Sequence, residues 1–169
     1  MHATAMANGK KFFDKYCSIG TIVEIGSMES IEPGLRNAAP SACKYIGVDT
    51  YAGDGVDIVS DPYSLPFEAN SVEVVASSST FEHVEFFWAL FVEMVRIVKP
   101  GGFIYINAPS RGPYHKYPVD CWRFYLDAGE ALKNWANRNG YTLEIVETYM
   151  DDATSTAGWG DWVCIWRKL

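Results

Sequence analysis

Apolar runs that stop abruptly at glycine or at an acid set the rhythm of this chain. Thr21-Ile22-Val23-Glu24-Ile25 is cut off by Gly26-Ser27, and Tyr45-Ile46-Gly47-Val48 ends on Asp49. Runs of this kind, rich in β-branched residues, predict buried strands with sharp turns at their carboxyl ends. Ahead of the first strand, Phe12, Phe13, Tyr16 and Cys17 share one face of a short helix expected over Lys10 to Cys17. Residues 1–8 are small and polar without periodicity, and are expected to be loose. Between Met28 and Ala42 the residues Pro33, Gly34 and Pro40 limit any helix to about two turns. Val56 to Val59 alternates and reads as a short edge strand. Asp61 to Phe67 is a loop pinned by Pro62 and Pro66, and Ser71 to Ala76 is a fourth strand ending in the polar run Ser77-Ser78-Ser79-Thr80.

The second half repeats the alternation. Phe86 to Val98 is apolar around most of its circumference and predicts a buried helix, closed by Lys99-Pro100-Gly101-Gly102. Phe103 to Ile106 is a fifth strand, and Ser110 to Phe124 a loop rich in Pro, Tyr, His and Arg. A helix follows in which Asp127 caps, Glu130 completes a capping box, Ala128, Ala131, Leu132, Trp135 and Ala136 face the core, and Gly140 ends the run. Tyr141 to Tyr149 alternates like an edge strand. The last strand, Asp161 to Trp166, is apolar on both faces and therefore belongs inside the sheet, paired to its predecessor as a hairpin. Strands alternating with helical patterns give one α/β domain over residues 1–169, a doubly wound and mostly parallel sheet of seven strands with helices on both faces.

Charge narrows the function. A net charge of −7 with scattered Lys and Arg argues against nucleic-acid binding, which needs a basic stripe to displace counterions, and against anionic membranes. Cys17, Cys43, Cys121 and Cys164 are isolated from one another and from His2, His83 and His115, so no zinc site is expected. With no secretory signal they read as reduced thiols of a cytoplasmic protein, and no apolar run reaches the ~20 residues needed to span a bilayer. The acid ending the second strand stands roughly 20 residues beyond the glycine turn of the first. That is the spacing at which a carboxylate binds ribose hydroxyls in doubly wound nucleotide sites.

Five groups in order, Val23-Glu24-Ile25-Gly26-Ser27, Gly47-Val48-Asp49, Asp61 to Phe67, Phe81-Glu82-His83-Val84 and Val95 to Gly102, resemble class I S-adenosylmethionine-dependent methyltransferases over about Phe12 to Leu169. The resemblance implies strand order 3-2-1-4-5-7-6 with an antiparallel seventh strand, and S-adenosyl-L-methionine as cofactor. It implies that Glu24, Gly26 and Ser27 shape the first cofactor loop and that Asp49 holds the ribose. Asp61 and Leu65 would read the adenine, and Ser78 would lie along the cofactor. The stretch His115-x-Tyr117-Pro118-x-Asp120-x-Trp122-Arg123-Phe124 resembles a motif of one subgroup of the family. One departure stands out: Met28 and Ser30 occupy positions where the family commonly has glycines, so a rearranged loop is expected.

Methyl transfer from a sulfonium asks the protein mainly to align the acceptor and, where needed, to remove a proton. His115 is the candidate base, with Asp120 orienting it, and Arg123, Tyr117 and Trp122 are candidate acceptor contacts. The same residues could simply tie a loop down through an Asp–Arg pair. His83 could accept a proton or only bond neighbouring backbone. Two functions stay open at this stage. One is methyl transfer to a small polar molecule such as a sugar. The other is a non-catalytic binding module that keeps the fold. Oligomeric state is not legible.

Overall fold

The computed structural model describes residues 3–29, 34–116, 118–151 and 158–169. Its centre is a seven-stranded sheet in the order β3-β2-β1-β4-β5-β7-β6. The strands are β1 (Gly20–Ile25), β2 (Cys43–Asp49), β3 (Ile58–Val59), β4 (Val72–Ser78), β5 (Val98–Arg111), β6 (Leu143–Asp151) and β7 (Gly160–Lys168). β1 to β5 run parallel, while β7 is antiparallel to both β5 and β6. The expected order and the internal final strand are both present. β7 earns its place by burial on both faces, with Trp162, Val163, Cys164, Ile165 and Trp166 all withdrawn from water.

Three α-helices cover the sheet: α1 (Ala3–Tyr16) on one face, α2 (Phe87–Ile97) and α3 (Asp127–Arg138) on the other. On the α1 side, Phe12 stacks on Tyr105 of β5 with ring centroids 4.7 Å apart. On the other side, Trp166 donates its indole N–H to the Gly129 carbonyl at 3.2 Å. A Cβ at Gly129 would press on Cys164 Sγ, so only glycine lets α3 lie this close to β7. Lys168 is buried but fully used: its ammonium donates to Asn70 Oδ1 and to the carbonyls of Val95 and Val98, locking β7 to the carboxyl end of α2.

Several local expectations need correction. Residues 3–8, expected to be loose, are the first turns of α1, and Ala5 and Asn8 are buried there. The amphipathic pattern becomes visible only from Lys10 because the earlier buried residues are small or polar. Trp135, expected in the core, is 40% exposed, and Phe86 is exposed as well. Asp127 does not cap α3: Leu126 before it already has helical dihedrals, and no side-chain cap forms. Glu130 instead pairs with Lys133 at 2.9 Å. Residues 99–102 do not separate helix from strand. They bulge out of β5 itself, between the pairs Val72–Val98 and Val74–Phe103. Between β1 and β2 the described chain forms only a short 3-10 helix, Leu35–Ala38.

Candidate active site

The parallel strands β1, β2, β4 and β5 all deliver their carboxyl ends to one edge of the sheet. In doubly wound folds ligands bind there, where neighbouring connections diverge. At the end of β1, Gly26 adopts φ +79° and donates its N–H to the Val48 carbonyl at 2.9 Å. A Cβ at Gly26 would collide with Thr80, so the turns after β1 and β4 touch. Asp49, at the end of β2, accepts the Thr50 amide at 2.7 Å and, at 3.3 Å each, the Thr50 hydroxyl and the Tyr51 amide on Oδ1, and the Met28 amide at 3.1 Å on Oδ2. The loop carrying Met28 thus folds onto the acid, using one of the roughly four acceptor positions that a carboxylate has.

Asp61 follows directly, because the Ser60 amide binds the Asp49 carbonyl at 2.9 Å. Its own carboxylate accepts the Tyr63 amide at 2.8 Å and shapes the loop. Leu65 is buried in the core rather than open, and its carbonyl accepts from Arg96 at 2.9 Å. It supports the loop from below. On β1, Glu24 is buried beside Tyr45, whose hydroxyl donates to Glu24 Oε2 at 2.8 Å. Burial pushes its carboxyl up to about 7, the Tyr45 hydrogen bond opposing the shift.

Hydroxyls and amides with nothing to bond gather at this edge. Ser27 Oγ, Ser78 Oγ, Asn107 Nδ2 and Ser110 Oγ are buried and have no hydrogen-bond partner among the described residues. Buried polar atoms are normally paired, and a group of orphans at one strand edge is what a polar ligand would complete. Ser79 between them is held at φ +53°, a left-handed conformation rare outside glycine.

Beyond β4, the short 3-10 helix Phe81–His83 presents Glu82 and His83 toward the loop after β5. That loop returns onto it: the Cys121 amide donates to the Glu82 carbonyl at 2.7 Å, and the Phe124 amide to the Pro109 carbonyl at 2.9 Å. The fold-back brings His115 against His83, ring centroids 4.9 Å apart. His83 Nδ1 bonds the Val119 carbonyl, and burial lowers its pKa. His115 Nδ1 lies 3.2 Å from Asp120 Oδ2, within ion-pair range, although its angle does not make a hydrogen bond. Asp120 is clamped by Arg123, with Nη2 to Oδ2 at 2.8 Å, and the guanidinium holds its carboxyl well below the usual carboxylate range. Trp122 packs on Phe87 at 5.3 Å and donates its indole N–H to the Val84 carbonyl. Tyr117 lies outside the described residues.

The structure therefore brings together His83, His115, Asp120, Arg123 and Trp122 at one end of the edge, and Gly26, Ser27, Asp49, Asp61 and Ser78 along the strand ends. Glu82 was not singled out from the sequence. It is buried, its Oε2 has no partner, and burial pushes it up to about 8. With His83 and His115 it forms a group whose donor atoms lie within 4.8 Å of one another, where no metal-ligating cluster was expected. Asn107 and Ser110 were also missed, because a polar residue inside a strand gives no sign of which end of the sheet it reaches.

Residues 34–106 match the family described as a methyltransferase domain. An uncharacterized methyltransferase of Mycobacterium sp. (strain JLS) is 34% identical over 134 residues, covering 72% of this chain and 51% of that protein. One of Mycolicibacterium paratuberculosis is 26% identical over 136 residues, covering 72% and 51%. The chain spans about half the length of these curated relatives. Among solved structures, the Burkholderia thailandensis 1,6-didemethyltoxoflavin-N1-methyltransferase with bound 1,6-didemethyltoxoflavin and S-adenosylhomocysteine has the same fold. It aligns at TM-score 0.73 and 14% identity, over 97% of this chain and 78% of that one. Residues 34–106 thus match a methyltransferase domain, and the strand order is that of the class I S-adenosylmethionine-dependent methyltransferase fold.

Proposed function

We infer that the protein transfers a methyl group from S-adenosylmethionine to a small polar acceptor. The observation that carries this reading is the row of unpaired polar atoms from Ser27 through Ser78 and Asn107 to Ser110, next to the Asp49 carboxylate. The cofactor fits these residues: the acceptor position left on Asp49 Oδ2 beside the Met28 amide suits a ribose hydroxyl, and the Ser27 and Ser78 hydroxyls and the Asn107 amide suit the amino-acid portion. When bound, the cofactor supplies an already activated methyl carbon. Glu24 braces the loop from beneath with Gly26 at its turn, and the Asp61–Leu65 segment borders the adenine side.

At the other end, the protein's own task is to orient the acceptor and take charge of its proton. Arg123, fixed by Asp120, offers charge-assisted contact to an anionic or hydroxylated acceptor, and Trp122 offers a wall. With Nδ1 bonded to the Val119 carbonyl, His83 keeps its lone pair on Nε2, which is what deprotonation requires, and His115, with the Asp120 carboxylate 3.2 Å from its Nδ1, is the second candidate for that role. The four described cysteines are free thiols, which suits a reducing cytoplasm, and no helix among the described residues is long and apolar enough to cross a membrane.

Calorimetric titration with S-adenosylmethionine and, separately, S-adenosylhomocysteine tests the reading. Saturable binding that Asp49→Ala abolishes is the expected result. One observation favours a non-catalytic module instead: the Met28 amide already occupies part of Asp49. Absence of both heat and thermal stabilisation with either ligand would overturn methyl transfer in favour of that module.

A further inference from the structure

We propose that Glu82, His83 and His115 form a binding site for a divalent first-row transition cation on the acceptor side of the cleft. Each offers one donor atom, and all three donors lie within 4.8 Å of one another. The Glu82–His83 pair is the tighter part, with Oε1 and Nε2 3.6 Å apart. Donors at about 2.1 Å from a tetrahedral cation stand roughly 3.4 Å from each other, so the third ligand has to draw in by about an ångström. His115 has room to do so, since it sits on a loop and about a third of its side chain is exposed, at 36%.

The donor chemistry is specific. His83 Nδ1 is bonded to the Val119 carbonyl, which leaves its Nε2, facing Glu82 Oε1, as the donor; His115 Nδ1 lies 3.2 Å from Asp120 Oδ2 without a hydrogen bond, and one of its ring nitrogens completes the group. Metal-ligating histidines are commonly oriented this way by an outer carbonyl or carboxylate. Glu82 is the independent observation. Its side chain is 3% exposed, and its Oε2 has no hydrogen-bond partner among the described residues. A carboxyl group sealed from water beside two imidazoles is costly to ionise as built, and a cation would compensate the charge. Two nitrogens and one carboxylate oxygen, with positions left open, suit Zn2+, Fe2+, Mn2+ or Co2+ rather than Mg2+ or Ca2+, which prefer all-oxygen shells.

Binding itself is independent of methyl transfer, but its use there rests on the reading above, and a bound cation would take the place of His83 and His115 as the means of activating the acceptor. A cation at this point would bind an acceptor hydroxyl in an open position and acidify it. The proton would then leave to water, and the oxygen lone pair would form the new bond to the methyl carbon as the bond from that carbon to sulfur breaks.

The test is titration of untagged, chelator-treated protein with Co2+, followed by its visible d–d absorption, and with Zn2+ by calorimetry. One saturable equivalent is expected. Glu82→Gln and His115→Asn should each weaken it by at least about tenfold, while His2→Ala leaves it unchanged. No saturable binding, or binding untouched by both variants, overturns the proposal, the latter identifying an adventitious surface site. Titrating the same proteins with S-adenosylhomocysteine separates the two readings. Cofactor binding without cobalt bands removes only the cation, and cobalt bands without cofactor binding remove only the transfer.

Discussion

The Tyr45 hydroxyl donates to Glu24 Oε2 at 2.8 Å from the neighbouring strand, beneath the loop that begins at Gly26. Glu24 is otherwise sealed from water, and burial raises its carboxyl from 4.5 to about 7. A carboxyl raised on folding keeps its proton longer in the folded than in the unfolded chain. Its contribution is therefore fully present below about pH 4.5 and is lost as pH rises through about 7. The loss is at most about 3 kcal/mol. Glu24→Gln should flatten that segment of the stability profile, measured by urea unfolding between those pH values. An unchanged slope would remove Glu24 as its source.

Asp49 holds its loop and, in the proposed function, the ribose, through the same carboxylate. Asp49→Asn keeps the shape but loses the charge and part of the acceptor capacity. Binding of S-adenosylhomocysteine should weaken by at least about tenfold, the loss of a charge-assisted bond being worth about 1.5–3 kcal/mol. Calorimetry reads this directly, and equal affinity in the variant would move the ribose elsewhere.

Asp120 has a side chain only 1% exposed and relies on Arg123 for its counter-charge. Removing one partner of a buried pair leaves a stranded charge, so Arg123→Ala should cost about 3 kcal/mol in urea unfolding. The double variant Arg123→Ala, Asp120→Asn should recover part of that cost. No recovery would mean that the stabilising contact of Arg123 lies with the Pro113 carbonyl, 3.0 Å away, rather than with Asp120.

Gly26 carries two separable demands, a positive φ and contact with Thr80. Gly26→Ala should destabilise through both. In a double-mutant cycle with Thr80→Gly the steric share appears as coupling, while a backbone share of about 1 kcal/mol persists. Zero coupling would mean that the two turns move apart at no cost.

The frame was legible because burial writes itself into strand sequences. β7 is apolar on both faces and lies inside the sheet; β6 alternates and lies at its edge. The ends of β1 and β2 were visible as a glycine and an acid. What escaped were relations between segments. Glu82 reads as an ordinary acid until the Cys121 amide draws the later loop over it. His83 and His115 are distant in sequence and become neighbours only through that same fold-back. Leu126 is helical before Asp127, which no capping pattern reveals, and Trp135 is exposed because α3 meets the sheet through Gly129, Leu132 and Ala136.

The position of β7 has a consequence for assembly. Among the described residues β6 has no neighbour in the sheet but β7, which follows it in the chain. During synthesis β6 must wait, unpaired, until the strand that will separate it from β5 has emerged, whereas β1, β2 and β4 can already associate. Sheet growth and chain growth run in different orders on this side, which adds long-range closure to a topology already slow by its parallel pairings. Under pulse-labelled hydrogen exchange, amides of β6 and β7 should therefore become protected together, after those of the parallel half.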